Sequence, residues 1–179
     1  KEFISNIYIP ELDKLIKHLD KISKKYKDIT IISRTHGQPA SPTKLGKEIL
    51  VFSTRIKNQR KSLMQIPNSA KFGGAVGNFN AHKVAFPKIN WKAFGKKFVE
   101  SELNLDYSFP TTQIEHYDSF ASLCDNVRRI NNILLDLSLD IWTYISLNYF
   151  KQKIKNDEVG SSAMPHKINP IDFENAEGN

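Results

Sequence analysis

Apolar residues recur along this chain at helical spacing in three long stretches. Leu12, Leu15, Ile16, Leu19, Ile22 and Tyr26 fall at steps of three and four, with lysines between them. That spacing gathers the apolar side chains on one stripe of an amphipathic helix and leaves the lysines on its wet face. A short extended piece, Thr30 to Ser33, follows and leads into Arg34-Thr35-His36-Gly37-Gln38-Pro39. Ser41-Pro42 then reads as an N-cap with proline at the first helical position. The helix predicted from there carries Leu45, Ile49, Phe52, Ile56 and Leu63 on its apolar face. Phe72 to His82 is a glycine-bearing loop, and Asn90 caps a shorter helix through Trp91, Phe94, Phe98 and Leu103.

The longest pattern runs from Ser119 to Tyr149. Apolar residues at Phe120, Leu123, Val127, Ile130, Leu134, Leu137, Ile141 and Tyr144 alternate steps of three and four, a heptad-like seam. No proline lies between Pro110 and Pro165, and no glycine between Gly95 and Gly160. Such a helix extends roughly 40 Å at about 1.5 Å per residue. So small a monomer cannot bury a seam of that length. The expectation is an all-α bundle of long helices completed by other subunits, with a plain single-chain bundle as the alternative.

Composition changes this picture little. The net charge of +7 comes from 21 lysines and 5 arginines scattered along the chain. Scattered lysines read as a solvated surface rather than a nucleic-acid patch, and they also suit an anionic small-molecule substrate. The single cysteine, Cys124, excludes an internal disulfide and falls in a helical apolar pattern, so it is expected to be a small core residue. No secretory signal is visible, and the apolar run Ile133 to Trp142 is broken by Asp136 and Asp140. The chain is expected to be soluble and cytoplasmic, with no membrane partner. It begins without methionine, and both ends read as internal to something longer.

Two segments look unlike packing material. One is Thr35-His36-Gly37-Gln38-Pro39, a histidine between small and polar residues just before a helix. The other is Gly160-Ser161-Ser162-Ala163-Met164-Pro165-His166-Lys167-Ile168-Asn169-Pro170, rich in donors and carrying a positive charge and an amide two residues apart. Composition leaves two readings of this second segment open. It is a carboxylate or phosphate site at a helix start, or an exposed loop with Asn169 as the N-cap. The five histidines lack metal-ligand spacing, and Gly73-Gly74 to Gly77 lacks the lysine-serine ending of a phosphate-binding loop.

The segment Gly-Ser-Ser-x-Met-Pro-x-Lys-x-Asn-Pro at 160–170 resembles the signature of the fumarase/aspartase superfamily, whose members release fumarate by β-elimination. His166 before Lys167 is similar to the adenylosuccinate lyase branch. The continuation Ile171 to Asn179, the stretch Ser33 to Ala40 and Thr111-Thr112-Gln113-Ile114-Glu115 carry the same resemblance. It covers essentially the whole chain, as three separated motifs in the family's order.

The resemblance implies an all-α, fumarase/aspartase-type bundle shared by a homotetramer, with residues 1–179 as part of its central domain. The family's N-terminal and C-terminal domains are not represented. It implies a C–N lyase acting on adenylosuccinate (to AMP) and the succinyl-carboxamide ribotide (to its carboxamide product), with no cofactor, no metal and no nucleic-acid partner. By the same resemblance Ser162 matches the general base, and His36 the acid that protonates the departing purine nitrogen. Glu174 matches the carboxylate that orients this histidine. Lys167 and Asn169 match the succinyl-carboxylate ligands, whose charge and donors meet the negative charge built up by proton removal. Thr35, Gln113, Ser161 and Met164 match substrate-binding positions, Met164 shaping the loop. Acid and base stand on separate segments, as handling a proton and a leaving group from opposite sides requires.

Overall fold

The computed structural model describes residues 1–152, 164 and 168–179. A wider helical turn over Ile4–Tyr8 leads into α1 (Ile9–Lys25). Then come strands β1 (Thr30–Thr35) and β2 (Gln38–Lys44), helix α2 (Leu45–Leu63) and the short strand β3 (Ser69–Ala70). Helices α3 (Asn80–Ala85) and α4 (Trp91–Lys97), strand β4 (Asp106–Tyr107), α5 (Asp118–Ser146) and α6 (Ile171–Gly178) complete the order. The chain is mostly helical, as its apolar spacing predicts, but it is not purely so. β1 and β2 pair antiparallel, and β3 pairs parallel with β4.

The chain divides into two compact units, one of residues Lys1–Leu12 and Gln59–Val127, the other of Asp13–Asn58 and Arg128–Asn179. In the second unit, Ile16, Leu19, Leu45, Ile49, Phe52, Ile56, Ile130 and Ile133 are buried. These are the stripes read from the sequence in α1 and α2, joined by one face of α5. Gly46 permits the close approach of α2 to the end of α1, since a Cβ there would lie 2.3 Å from the Ser23 carbonyl oxygen. Ser23 Oγ donates to the Gly46 carbonyl at 2.7 Å. Asp20 accepts from Ser53 Oγ at 2.5 Å and from Lys57 Nζ at 2.7 Å, and Arg55 pairs with Asp136 at 2.8 Å.

In the first unit, Phe79 and Val99 are buried, and aromatic rings crowd around Phe72, which contacts Phe79, His82, Phe94 and Phe98 at 5.3–6.0 Å between centroids. Asn90 caps α4 as predicted, its side chain accepting from the Ala93 amide at 3.1 Å.

Three expectations are corrected. The loop read over Phe72 to His82 ends at Phe79, because Asn80–Ala85 form α3. Ser41 and Pro42 do not open a helix; they lie in β2, where Pro42 stands opposite Ile32. A proline fits an exposed strand edge, where no amide is demanded. The first amides of α2 need no side-chain cap, because Leu45 N–H donates to Ile29 O at 2.9 Å and Gly46 N–H to Tyr26 O at 3.1 Å. Cys124 is exposed rather than packed in the core. The buried face of α5 runs through Asn126, Ile130, Ile133 and Ser138, and Cys124 lies off it.

Of the predicted α5 seam, Ile130 is fully buried, whereas Phe120 is 62% exposed and the remainder half-buried. The seam is only partly covered within the chain. Among the described residues, no helix is long and apolar enough to cross a membrane.

Candidate active site

His36 stands at the tip of the β1–β2 hairpin. Thr35 pairs with Gln38, so His36 and Gly37 form a two-residue turn, with φ of +52° and +72°. Two consecutive positive φ values are the signature of the type I′ turn, whose twist matches that of paired strands. Gly37 adopts this conformation freely, and no atom lies within 4 Å of where its Cβ would be. His36 is exposed, as is Thr35 beside it. Within the hairpin, Arg34 Nη1 donates to the Gly37 carbonyl at 2.9 Å, and its Nε faces the Tyr149 hydroxyl at 3.3 Å.

A cavity of about 470 Å³ opens below this turn, lined by Arg34, Gly37, Glu48, Asp140, Tyr144 and Tyr149 among others. Burial, with the charges of Asp136 and Glu48 beside it, pushes the Asp140 carboxyl above the ordinary carboxylate range, against a smaller opposing effect of Arg55. Burial likewise raises the Tyr144 hydroxyl. The hairpin tip therefore stands over a recess lined by both charged and apolar side chains.

Gln113 belongs to the other unit. Its side chain is exposed, but its segment is tightly held. A Cβ at Gly77, whose φ is +80°, would fall 1.8 Å from the Thr111 carbonyl oxygen, so only glycine lets the 73–77 loop pass beneath this segment. Lys71 Nζ donates to the Gly74 carbonyl at 2.6 Å and also to the Gln113 carbonyl, tying the two loops together. Glu115 accepts from Ser108 Oγ at 3.0 Å and from the Tyr117 amide. The Tyr117 amide holds the Glu115 carboxyl below its ordinary range. A mainly apolar cavity of about 440 Å³ lies beside Leu63, Leu105, Glu115, Tyr117 and Leu123, and none of the predicted site residues lines it.

Ser161, Ser162 and Lys167, with His166, lie outside the described residues. Met164 is exposed, and Asn169 is half-buried just ahead of α6. Pro170, not Asn169, occupies the N-cap position of that helix, and its carbonyl accepts from the amides of Phe173 and Glu174. Glu174 projects from the first turn of α6 and accepts from the indole N–H of Trp142 at 3.2 Å. Among the described residues, no hydrogen bond or ion pair joins His36 to Glu174, and no group of histidine, cysteine and acidic side chains is arranged to hold a metal.

The structure thus sets Thr35 and His36 together on one turn, Glu174 on α6 and Gln113 on a loop of the other unit. The contacts of Arg34, Tyr149, Lys71 and Trp142 were not readable from the sequence. The extended stretch Thr30 to Ser33 and the glycine of His36-Gly37 were the signals of a turn there.

The comparisons with known proteins agree with the motifs. A family described as lyase matches residues 1–179. The chain is 54% identical over 181 residues to the adenylosuccinate lyase of Dictyostelium discoideum, covering 99% of this chain and 39% of that protein. It is 49% identical over 179 residues to that of Legionella pneumophila, covering 100% and 39%, and 47% identical over 173 residues to that of Escherichia coli, covering 97% and 38%. It therefore spans about two fifths of the length of these relatives. Among solved structures, 3-carboxy-cis,cis-muconate lactonizing enzyme from Pseudomonas putida matches with a TM-score of 0.73 at 21% identity, over 97% of this chain and 37% of that one, a likeness of fold. With a family match across every residue and a matching helical fold, the chain belongs to the lyase family.

Proposed function

We propose that this chain is the central, active-site-bearing part of an adenylosuccinate lyase. The observation that carries the reading is identity of about one residue in two with adenylosuccinate lyases along its whole length. The reaction is elimination of fumarate from adenylosuccinate, leaving AMP, and from the succinyl-carboxamide ribotide of purine synthesis. A proton leaves the carbon beside a succinyl carboxylate for Ser162, the C–N bond breaks, and His36 gives a proton to the departing nitrogen. Lys167 and Asn169 meet the negative charge that grows on the carboxylate, where preorganised donors act most strongly. Thr35, Gln113, Ser161 and Met164 line the substrate. Glu174 orients and charges an imidazole, His36 of another subunit in a homotetramer whose shared bundle covers the α5 seam. The exposure of His36 at a hairpin tip supports this, because a histidine presented outward can complete a site built by a neighbouring copy. The enzyme works in the cytoplasm without a cofactor.

The test is fumarate release by the full-length protein, offered adenylosuccinate and argininosuccinate separately. Release from adenylosuccinate alone is expected. Release from argininosuccinate alone would keep the elimination and discard the purine substrate; silence with both would sink the proposal.

A further inference from the structure

We infer that Arg34 and Tyr149 are positioning residues for the proton transfer by His36, an inference that rests on the lyase reading above. The turn carrying His36 has a conformational problem of its own. His36 adopts φ of +52°, which an L-residue with a Cβ reaches at a cost of about 1 kcal/mol. The hairpin has only two strands, and such a ribbon is marginal without further support. An imidazole at its tip would sample many directions, yet a general acid must stay within hydrogen-bond reach of the atom it protonates.

The support comes from the end of α5. Asn148 takes a left-handed conformation with φ of +60°, and the Tyr149 amide turns back to donate to the Tyr144 carbonyl at 2.8 Å. The Tyr149 ring stacks on that of Tyr144 at 5.8 Å between centroids, with 22° between planes. Tyr149 is therefore anchored on the helix, and its hydroxyl is carried to the hairpin. There it accepts from Arg34 Nε at 3.3 Å, and its own proton points at the Ile32 carbonyl, 3.5 Å away. A hydroxyl has one proton to give and lone pairs to receive, so both contacts are compatible. Arg34 spends its other edge on the Gly37 carbonyl at 2.9 Å. One planar guanidinium thus bridges the helix end and the catalytic turn, which a lysine ammonium on its flexible stem would not do.

The experiment uses the full-length protein and adenylosuccinate. Steady-state fumarate release is measured for wild type, Tyr149→Phe, Arg34→Gln and the double variant, with light scattering to follow assembly. Tyr149→Phe should lower kcat about two- to tenfold, the size of one lost hydrogen bond, and Arg34→Gln about ten- to a hundredfold. KM should stay within about twofold in both, because the substrate is not touched. The double variant should fall no lower than Arg34→Gln alone, since Tyr149 acts through Arg34. Unchanged kcat in both single variants, or losses that multiply, would overturn the inference. A rise in KM with kcat preserved would also overturn it, making Arg34 a substrate ligand. Should Arg34→Gln fail to assemble, the kcat and KM of Tyr149→Phe decide the matter alone. A wild-type protein silent on adenylosuccinate overturns the lyase reading, and this inference with it, before any variant is made.

Discussion

His36 and Ser162 carry separate halves of the proposed elimination, so their removal tests separate steps. In the full-length protein, His36→Ala and Ser162→Ala should each lower kcat by about 10²–10⁴, the usual weight of a positioned acid or base, while the assembly forms normally. Stopped assays with size-exclusion chromatography would check both statements, and near-normal turnover in either variant would remove its assigned role. Lys167→Ala should raise KM and lower kcat together, because in the proposed site its charge would meet the carboxylate in both ground and transition states. Asp20 is a residue of a different kind. Hydrogen bonds from Lys57 first and Ser53 second hold its carboxyl below the ordinary range. A carboxyl lowered on folding stabilises the fold above its unfolded pKa of about 4 and loses that contribution as pH falls through the folded value. Asp20→Asn should therefore lower thermal stability at pH 7 by no more than about 1 kcal/mol, as the group is partly exposed. Melting curves should converge with wild type once pH falls below the folded value of this carboxyl; a constant difference across pH would refute the assignment.

The elements repeat this division between what is legible and what is not. The stripes of α1 and α2 were read directly, since periods of three and four leave no other face for Leu12, Ile16, Leu19, Ile49, Phe52 and Ile56. The hairpin was half-read. Thr30 to Ser33 showed its extended character, but Ser41-Pro42 resembles a helix start as much as an edge strand, and only pairing with β1 resolves it. The loop at 73–77 was recognised by its glycines, yet its purpose was hidden until Gly77 met Thr111 across 34 residues of sequence. Gly77→Ala should destabilise the protein by at least about 1–2 kcal/mol from the positive φ alone, with further loss from the clash. The Gln113 segment should shift with it, and KM should rise. Denaturant unfolding and steady-state kinetics would show both, and an unperturbed KM would separate the loop from substrate binding.

For the whole molecule, the surplus of apolar surface is the informative quantity. Leu50, Val51, Leu139 and Trp142 on α2 and α5 are 43–48% exposed, more than isolated surface residues on two neighbouring stripes need be. Under the proposed tetramer these belong to the shared bundle, so Leu139→Asp should weaken assembly and activity together. Sedimentation velocity would show smaller species at micromolar protein; an intact tetramer with full activity would place the interface elsewhere. The amino-acid order by itself determined the apolar stripes of the long helices α1, α2 and α5, because side-chain period follows from backbone geometry, and it determined the kinship, because motifs of Ser161, Ser162, Lys167 and Asn169 are local in the chain. It could not determine contacts between residues far apart in that order. Arg34 reaching Tyr149, Trp142 reaching Glu174 and Lys71 reaching the Gln113 carbonyl each depend on where helices and loops come to rest. Those meetings arise from packing, which depends on all the side chains at once and leaves no mark in any single stretch of sequence.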